Sequence, residues 1–211
     1  MSGPFIAHLN RQQKKSSMSV LLIVGSPSER SRSSSLLDAV ADRLHASGLS
    51  VDRLVIRDLP PKALLLADTS QRSIQQAVDA VATATAVVVA TPVYKAAYSG
   101  VLKVFLDLLP QSALAGKVVL PLATGGSPNH MLALDYALRP VLQSLAARHI
   151  LPGVYVSDSQ FSQGPDGAYH LTLDMQLRLE GAVATLCAES FRQQATTGFE
   201  PVPFSRVRCS V

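Results

Sequence analysis

The sequence is poor in charge and in cysteine, and it holds no long apolar run. Charged residues make up 16% of the 211 positions and apolar ones 47%. That balance excludes a disordered chain and suits one globular domain with a substantial buried core. The two cysteines, Cys187 and Cys209, share no metal-ligand or redox spacing, and both read as free thiols of a reducing, cytoplasmic compartment. No apolar stretch approaches the roughly 18 residues needed to cross a bilayer. The first 18 residues, MSGPFIAHLNRQQKKSSM, carry three cations and no acid but lack the apolar segment of a secretory signal. They read as a disordered extension (residues 1–18), or as the lead-in to an internal start at Met18. The net charge of +4 is small and scattered. No basic, aromatic-interleaved patch supports nucleic-acid binding, although a modest positive field favours an anionic small molecule.

Familiar catalytic signatures are missing too. There is no G-x-x-x-x-G-K-[ST] loop, which excludes an NTPase of that type, and no G-x-G-x-x-G to support a dinucleotide site. Ser127 follows two glycines but lacks the G-x-S-x-G context of a hydrolase. His8, His45, His130, His149 and His170 have no metal-ligand spacing. Only His130 falls near the loops discussed below, where a solvated helix-start histidine is the competing reading.

What is present is a regular alternation. Apolar runs at Val20–Val24, Val51–Ile56, Ala86–Ala90, Lys117–Ala123 and Ile150–Val156 read as strands. Helical spacing occupies Ser34–Ala46, Ser70–Ala82, Gly100–Leu109, His130–Arg148 (with a kink or break at Pro140) and Thr172–Gln194. The last helix is expected to bury a stripe of Leu173, Leu177, Ala184, Cys187 and Phe191. Continuous apolar strands between helices imply a parallel sheet covered on both faces. Five of them with right-handed crossovers predict an α/β, flavodoxin-like doubly wound sheet of order 2-1-3-4-5 over residues 19–195. Gln160–His170 reads as a Gly/Pro-rich insertion and residues 196–211 as a tail.

In such a sheet, ligands bind beyond the carboxyl ends of the strands, at the switch in strand order. The loops there read GSPSERSRSSS, TPVYKAAYSG and TGGSPNH. The first packs six serines, two arginines and one glutamate between a strand and a helix N-terminus. Unpaired N–H groups and the helix dipole attract an anion at such a point. Serine hydroxyls and Arg32, with Arg30 beside it, supply further donors, so a phosphate monoester is the guest the loop suits. The alternative is that the serines only cap the helix. Tyr94, after the stiff Pro92, offers an aromatic body with a polar tip, and Thr124-Gly125-Gly126 permits close backbone approach. Both suit a flat heterocycle, and ordinary packing or a plain turn is the alternative for each.

With these loops in place the chain resembles the NADPH-dependent FMN reductases, in particular those of two-component alkanesulfonate monooxygenase systems. The resemblance runs from about Val20 to Gln194 and is carried by GSPSERSRSSSLL, ATPVYKAAYSGVLK, GKVVLPLATGG and DYALRPVL. It implies that Ser26, Ser31, Arg32, Ser33 and Ser34 hold the phosphate of FMN. It also implies that Pro92, Val93 and Tyr94, with Thr124, Gly125 and Gly126, line the isoalloxazine ring. Hydride would pass from NADPH to FMN, which leaves reduced for a partner monooxygenase that desulfonates an alkanesulfonate. The resemblance further implies a tetramer and makes Tyr98 an extra residue, producing a π-bulge from Ser99 onward at a subunit interface and favouring flavin release. Lys103 and Asp107, four apart, would pair locally or across subunits. The competing readings are an FMN-retaining quinone, azo or metal-oxyanion reductase, which Tyr98 argues against, and a flavodoxin-like electron carrier, which the basic charge argues against.

Overall fold

The computed structural model describes residues 18–196. The expected N-terminal extension and C-terminal tail therefore lie, but for Met18 and Thr196, outside the described residues, as do His8 and Cys209. Met18 itself is buried against the sheet. The strands are β1 (Ser19–Val24), β2 (Ser50–Val55), β3 (Ala86–Tyr94), β4 (Ala97–Tyr98), β5 (Val118–Gly125), β6 (His149–Ile150), β7 (Val154–Ser157), β8 (Phe161–Gln163) and β9 (Tyr169–Leu171). The helices are α1 (Arg32–Ala46), α2 (Pro61–Leu65), α3 (Arg72–Thr83), α4 (Gly100–Leu106), α5 (Arg139–Ser144) and α6 (Leu173–Thr196). The main sheet is parallel and runs β2-β1-β3-β5-β6, with β7 also paired to β5. Counting β6 and β7 as one broken strand, this is the 2-1-3-4-5 order expected.

The break has a physical cause. Between the pairs Val119↔Ile150 and Leu122↔Val154, β5 advances three residues while its neighbour advances four. One extra residue is thus inserted on the edge strand, a bulge. Pro152 falls within it, where the missing N–H interrupts no interior ladder.

Side chains of β1, β3 and β5 alternate between two apolar clusters, so both faces of the sheet are covered. Leu21, Ile23, Val87, Val89 and Val119 face α3, α4 and α5. Val20, Leu22, Val88, Leu120 and Leu122 face α1 and α6. On α6 the buried stripe is Met175, Leu179, Val183, Leu186 and Ser190, whereas Leu173, Leu177 and Phe191 are exposed. The stripe expected from the sequence is therefore the wrong face of the right helix. Leu-rich spacing recurs on both sides of α6, and contact with α1, β5 and β7 decides which one is covered.

A second correction concerns the π-bulge. Ser99 caps a regular α-helix, α4, its hydroxyl accepting from the Leu102 N–H at 3.1 Å. The π-helical turn lies instead at Leu134–Leu138, where the Arg139 N–H donates to the Leu134 carbonyl. Pro140 follows directly and has no N–H to carry on a regular ladder; it occupies the first turn of α5. Lys103 and Asp107 pair with each other on one helix face at 2.6 Å. Among the described residues, no helix is long and apolar enough to cross a membrane.

Candidate functional site

Three strand ends converge where the order reverses. Strands β3 and β5 run further than expected, so Thr91–Tyr94 and Thr124–Gly125 are the tips of strands, not free loops. Beyond them lies a cleft of about 300 Å³, at the lower end of small-molecule sites. Ser26, Ser31, Arg32 and Ser33 line it from the β1–α1 loop, Pro92, Val93 and Tyr94 from β3, and Thr124, Gly125 and Gly126 from β5. Ser34 of the expected set faces a neighbouring groove shared with Ser31, Asp38 and Tyr169.

The first loop is held in shape by its own hydroxyls. Ser31 caps α1: its Oγ accepts from the Ser34 N–H at 3.1 Å and lies 2.9 Å from Ser34 Oγ. The buried Ser26 Oγ accepts from the Ser28 N–H at 3.2 Å. Capping is thus a real duty of this serine cluster, but it leaves Arg32 to be explained. Arg32 Nε is buried and has no hydrogen-bond partner, a costly state for a charged group. It stands at the N-terminus of a 15-residue helix, where an anion is favoured.

Buried polar links join the three loops. Ser33 Oγ lies 2.8 Å from Thr124 Oγ1, tying the first loop to the third. The Ser99 hydroxyl donates to the Gly25 carbonyl, and the Ser99 N–H donates to Thr91 Oγ1 at 3.0 Å. A Cβ on Gly25 would stand 3.0 Å from both the Ala90 carbonyl and Leu102 Cβ, so only glycine fits the first turn at full closeness. The β3–β4 turn is built by Lys95 and Ala96, both at positive φ (50° and 63°). That geometry suits a tight hairpin but is strained for residues with a Cβ, and it leaves Tyr94 half-exposed at the cleft mouth.

Sequence reasoning missed Thr91, Ser99, Tyr155, Asp158 and Tyr169. Thr91 and Ser99 stood inside the quoted motif as small polar residues at a strand end and a helix start. The others gave no local signal. Tyr169 belongs to the expected insertion, which folds as the antiparallel β8–β9 hairpin, and Asp158 lies in the short turn just before it; together they close one wall of the cleft. Tyr98 does not line the cleft. It pairs with Val93 in β4 and packs half-buried against the α4–α5 face, and burial above all raises its hydroxyl pKa over the ordinary 10.0. His130 ends a 3-10 turn outside the lining. Among the described residues, no group of three or more His, Cys, Asp or Glu could hold a metal ion.

The profile of the family described as NADPH-dependent FMN reductase matches residues 18–162. The chain belongs to that family. It is 45% identical over 172 residues to the FMN reductase (NADPH) of Escherichia coli (strain K12), covering 80% of this chain and 87% of the relative. The apo form of an NADH:FMN oxidoreductase, EMOB, superposes with a TM-score of 0.73 at 41% identity, over 90% of this chain and 94% of that one. A flavodoxin from the domain Archaea shares the fold alone, with a TM-score of 0.54 at 12% identity over 82% and 99% of the two chains. As a member of the FMN reductase family the protein is an oxidoreductase that uses FMN and NADPH. The cleft fits a flavin mononucleotide: it has an anion-seeking end with an unsatisfied guanidinium nitrogen, and a wall of glycine and strand backbone for a flat ring.

Proposed function

We propose that the cleft takes FMN with its phosphate at the N-terminus of α1 and its ring along the tips of β3 and β5. In this reading Ser26, Ser31, Arg32, Ser33 and Ser34 surround the phosphate, with Ser34 reaching it from the edge of the adjoining groove. Pro92, Val93 and Tyr94 lie along one side of the ring, and Thr124, Gly125 and Gly126 along another. The single observation that carries the assignment is the buried, unpartnered Nε of Arg32 at a helix N-terminus within this cleft.

When bound, the flavin supplies the hydride acceptor and the nicotinamide the donor, a reaction that requires no protein acid or base. The chain's part is positional. The Ser33–Thr124 link fixes the distance between phosphate end and ring wall, and the Ser99 brace fixes the turn at Gly25. Holding two planar rings at near-attack distance is a large share of what such an enzyme must do. Half-exposed Tyr94 leaves the mouth open for the second ring.

The same reading extends to the flavin's fate. The reduced flavin leaves for a partner monooxygenase, and the motifs shared with alkanesulfonate systems support desulfonation as that partner's reaction. Homo-tetramer assembly is part of the proposal, with its contact moved from Tyr98 to the π-helical turn. Tyr136 in that turn is 78% exposed, and Met131 and Leu132 just before it are also exposed, an apolar surface suited to a second copy of the chain. NADPH oxidation measured with and without added free FMN tests the function. Activity that depends on added FMN and saturates with it is expected. Flavin retained through dialysis, together with quinone turnover that needs no added FMN, would favour the flavin-retaining reductase instead.

A further inference from the structure

Asp158 stands where an anion site has no evident use for a carboxylate. It lies in the short 3-10 turn after β7 and lines the cleft. Its Oδ2 is 3.4 Å from Arg32 Nη1, with the two side chains 41% and 36% exposed. That is longer than the roughly 2.7–2.9 Å of a charge-assisted hydrogen bond. The Arg32 guanidinium also lies 4.9 Å from the ring centroid of Tyr169, and Tyr169 is braced edge-on by Phe161 at 6.1 Å. Arg32 therefore has a carboxylate and an aromatic face as neighbours, while its Nε remains without a partner.

Resting on the reading that the α1 N-terminus receives the flavin phosphate, we infer that Asp158 limits the affinity for FMN. Its carboxylate competes with the phosphate for Arg32 and repels it. A phosphate entering the cleft must either break the Arg32–Asp158 pair or sit beside an uncompensated negative charge. Both effects weigh only on the phosphate-bound state. For a flavin that has to leave after each turnover, affinity beyond saturation gains nothing, and a carboxylate opposite the phosphate is a direct way to hold it down. The hairpin that follows Asp158 adds the second half of the arrangement: Tyr169 keeps the guanidinium in place between visits without using up its hydrogen-bond donors.

The surrounding turn does not depend on the carboxylate. Ser157 caps it, and the Gln160 side chain accepts from the Ser157 N–H at 2.9 Å. Asp158→Asn should therefore fold normally, and Asp158→Ser gives a second way to remove the charge. The test is the dissociation constant for FMN and for riboflavin, which lacks the phosphate, measured by quenching of flavin fluorescence at low and high salt. Both variants should bind FMN roughly tenfold more tightly at low salt, as expected for freeing Arg32 from its pair and removing one charge near a dianion together, with riboflavin essentially unchanged. The gain should shrink at high salt, because the pair is half-exposed. In an Arg32→Ala background the same substitution should tighten FMN by only about twofold, the part due to repulsion alone. Unchanged or weaker FMN binding, equal tightening of riboflavin, or a full gain without Arg32 would each overturn the role of Asp158. Wild-type protein that binds FMN no better than riboflavin would instead overturn the phosphate site itself.

Discussion

Gly125→Ala probes how closely the third loop is fitted. Gly125 ends β5, is buried, and pairs with Ser157 of β7. A Cβ there would stand 2.5 Å from Tyr155 Oη and 3.4 Å from Tyr155 Cζ and Val93 Cβ. The strand cannot shift, because β3 and β7 hold it on both sides, so the tyrosine ring must yield. Its hydroxyl donates to the Ser127 carbonyl at 2.5 Å, and moving the ring forfeits about 1 kcal/mol of hydrogen bonding. Overpacking adds about 1–3 kcal/mol, for a total of about 2–4 kcal/mol. In a chain of this length that lowers Tm by about 4–16 °C. Tyr155→Phe removes the clashing oxygen. Alone it should cost about 1 kcal/mol, and combined with Gly125→Ala it should recover about 1–2 kcal/mol relative to the sum of the single changes. Urea denaturation followed by far-UV circular dichroism measures all three variants. FMN affinity should follow the same order, falling in Gly125→Ala and returning in part in the double variant. Additive stabilities, or a Gly125→Ala protein as stable as wild type, would refute the account of why glycine is needed here.

Three further outcomes are expected. Arg32→Ala should weaken FMN binding by about 10- to 150-fold, the worth of charge-assisted hydrogen bonds, while leaving riboflavin binding nearly unchanged in the same fluorescence titration. Ser33→Ala should cost about 1–3 kcal/mol in urea denaturation, because it leaves the buried Thr124 hydroxyl without its 2.8 Å partner. Tyr98 and Tyr155 should ionise later than free tyrosine in a spectrophotometric titration, since burial raises both above 10.0 and the nearby Asp158 pushes Tyr155 further up. Because the folded pKa is the higher one, their contribution to stability is complete below about pH 10 and is lost as pH rises through the folded value. Two tyrosines titrating at or below the free value would contradict it.

The parts of this protein that could be read from the sequence are those set by local rules. Apolar runs such as AVVVA alternate inward on both faces of the sheet, so their hydropathy alone marks them as buried parallel strands. Once strand order is inferred, the site's location follows, because crossover geometry brings the ends of β1, β3 and β5 together. What could not be read depends on choices local pattern leaves open. On α6 two stripes offset by two residues are both apolar, and only the neighbours of Met175 and Leu179 determine which is covered. The extra residue at Tyr98 suggests a π-helical turn there, whereas the physical cue is Pro140, which cannot donate to the ladder behind it.

The cleft itself shows why residue type and residue role part company. The serine cluster suggested phosphate donors, yet Ser31 caps a helix and Ser33 bonds Thr124, 91 residues away. Hydroxyls both donate and accept, so the same residues can shape a loop and still offer a lone pair or proton to a guest. A guanidinium has no such freedom: it only donates, and a buried donor without an acceptor is costly. Arg32 is therefore more diagnostic than any serine around it. Of its two neighbours, Tyr169 comes from an insertion whose composition suggests only a loop, and Asp158 from the short turn just before it. Between them they occupy the charge and the ring face of Arg32 without satisfying its buried nitrogen, and that residual demand makes this end of the cleft a place for an anion that comes and goes.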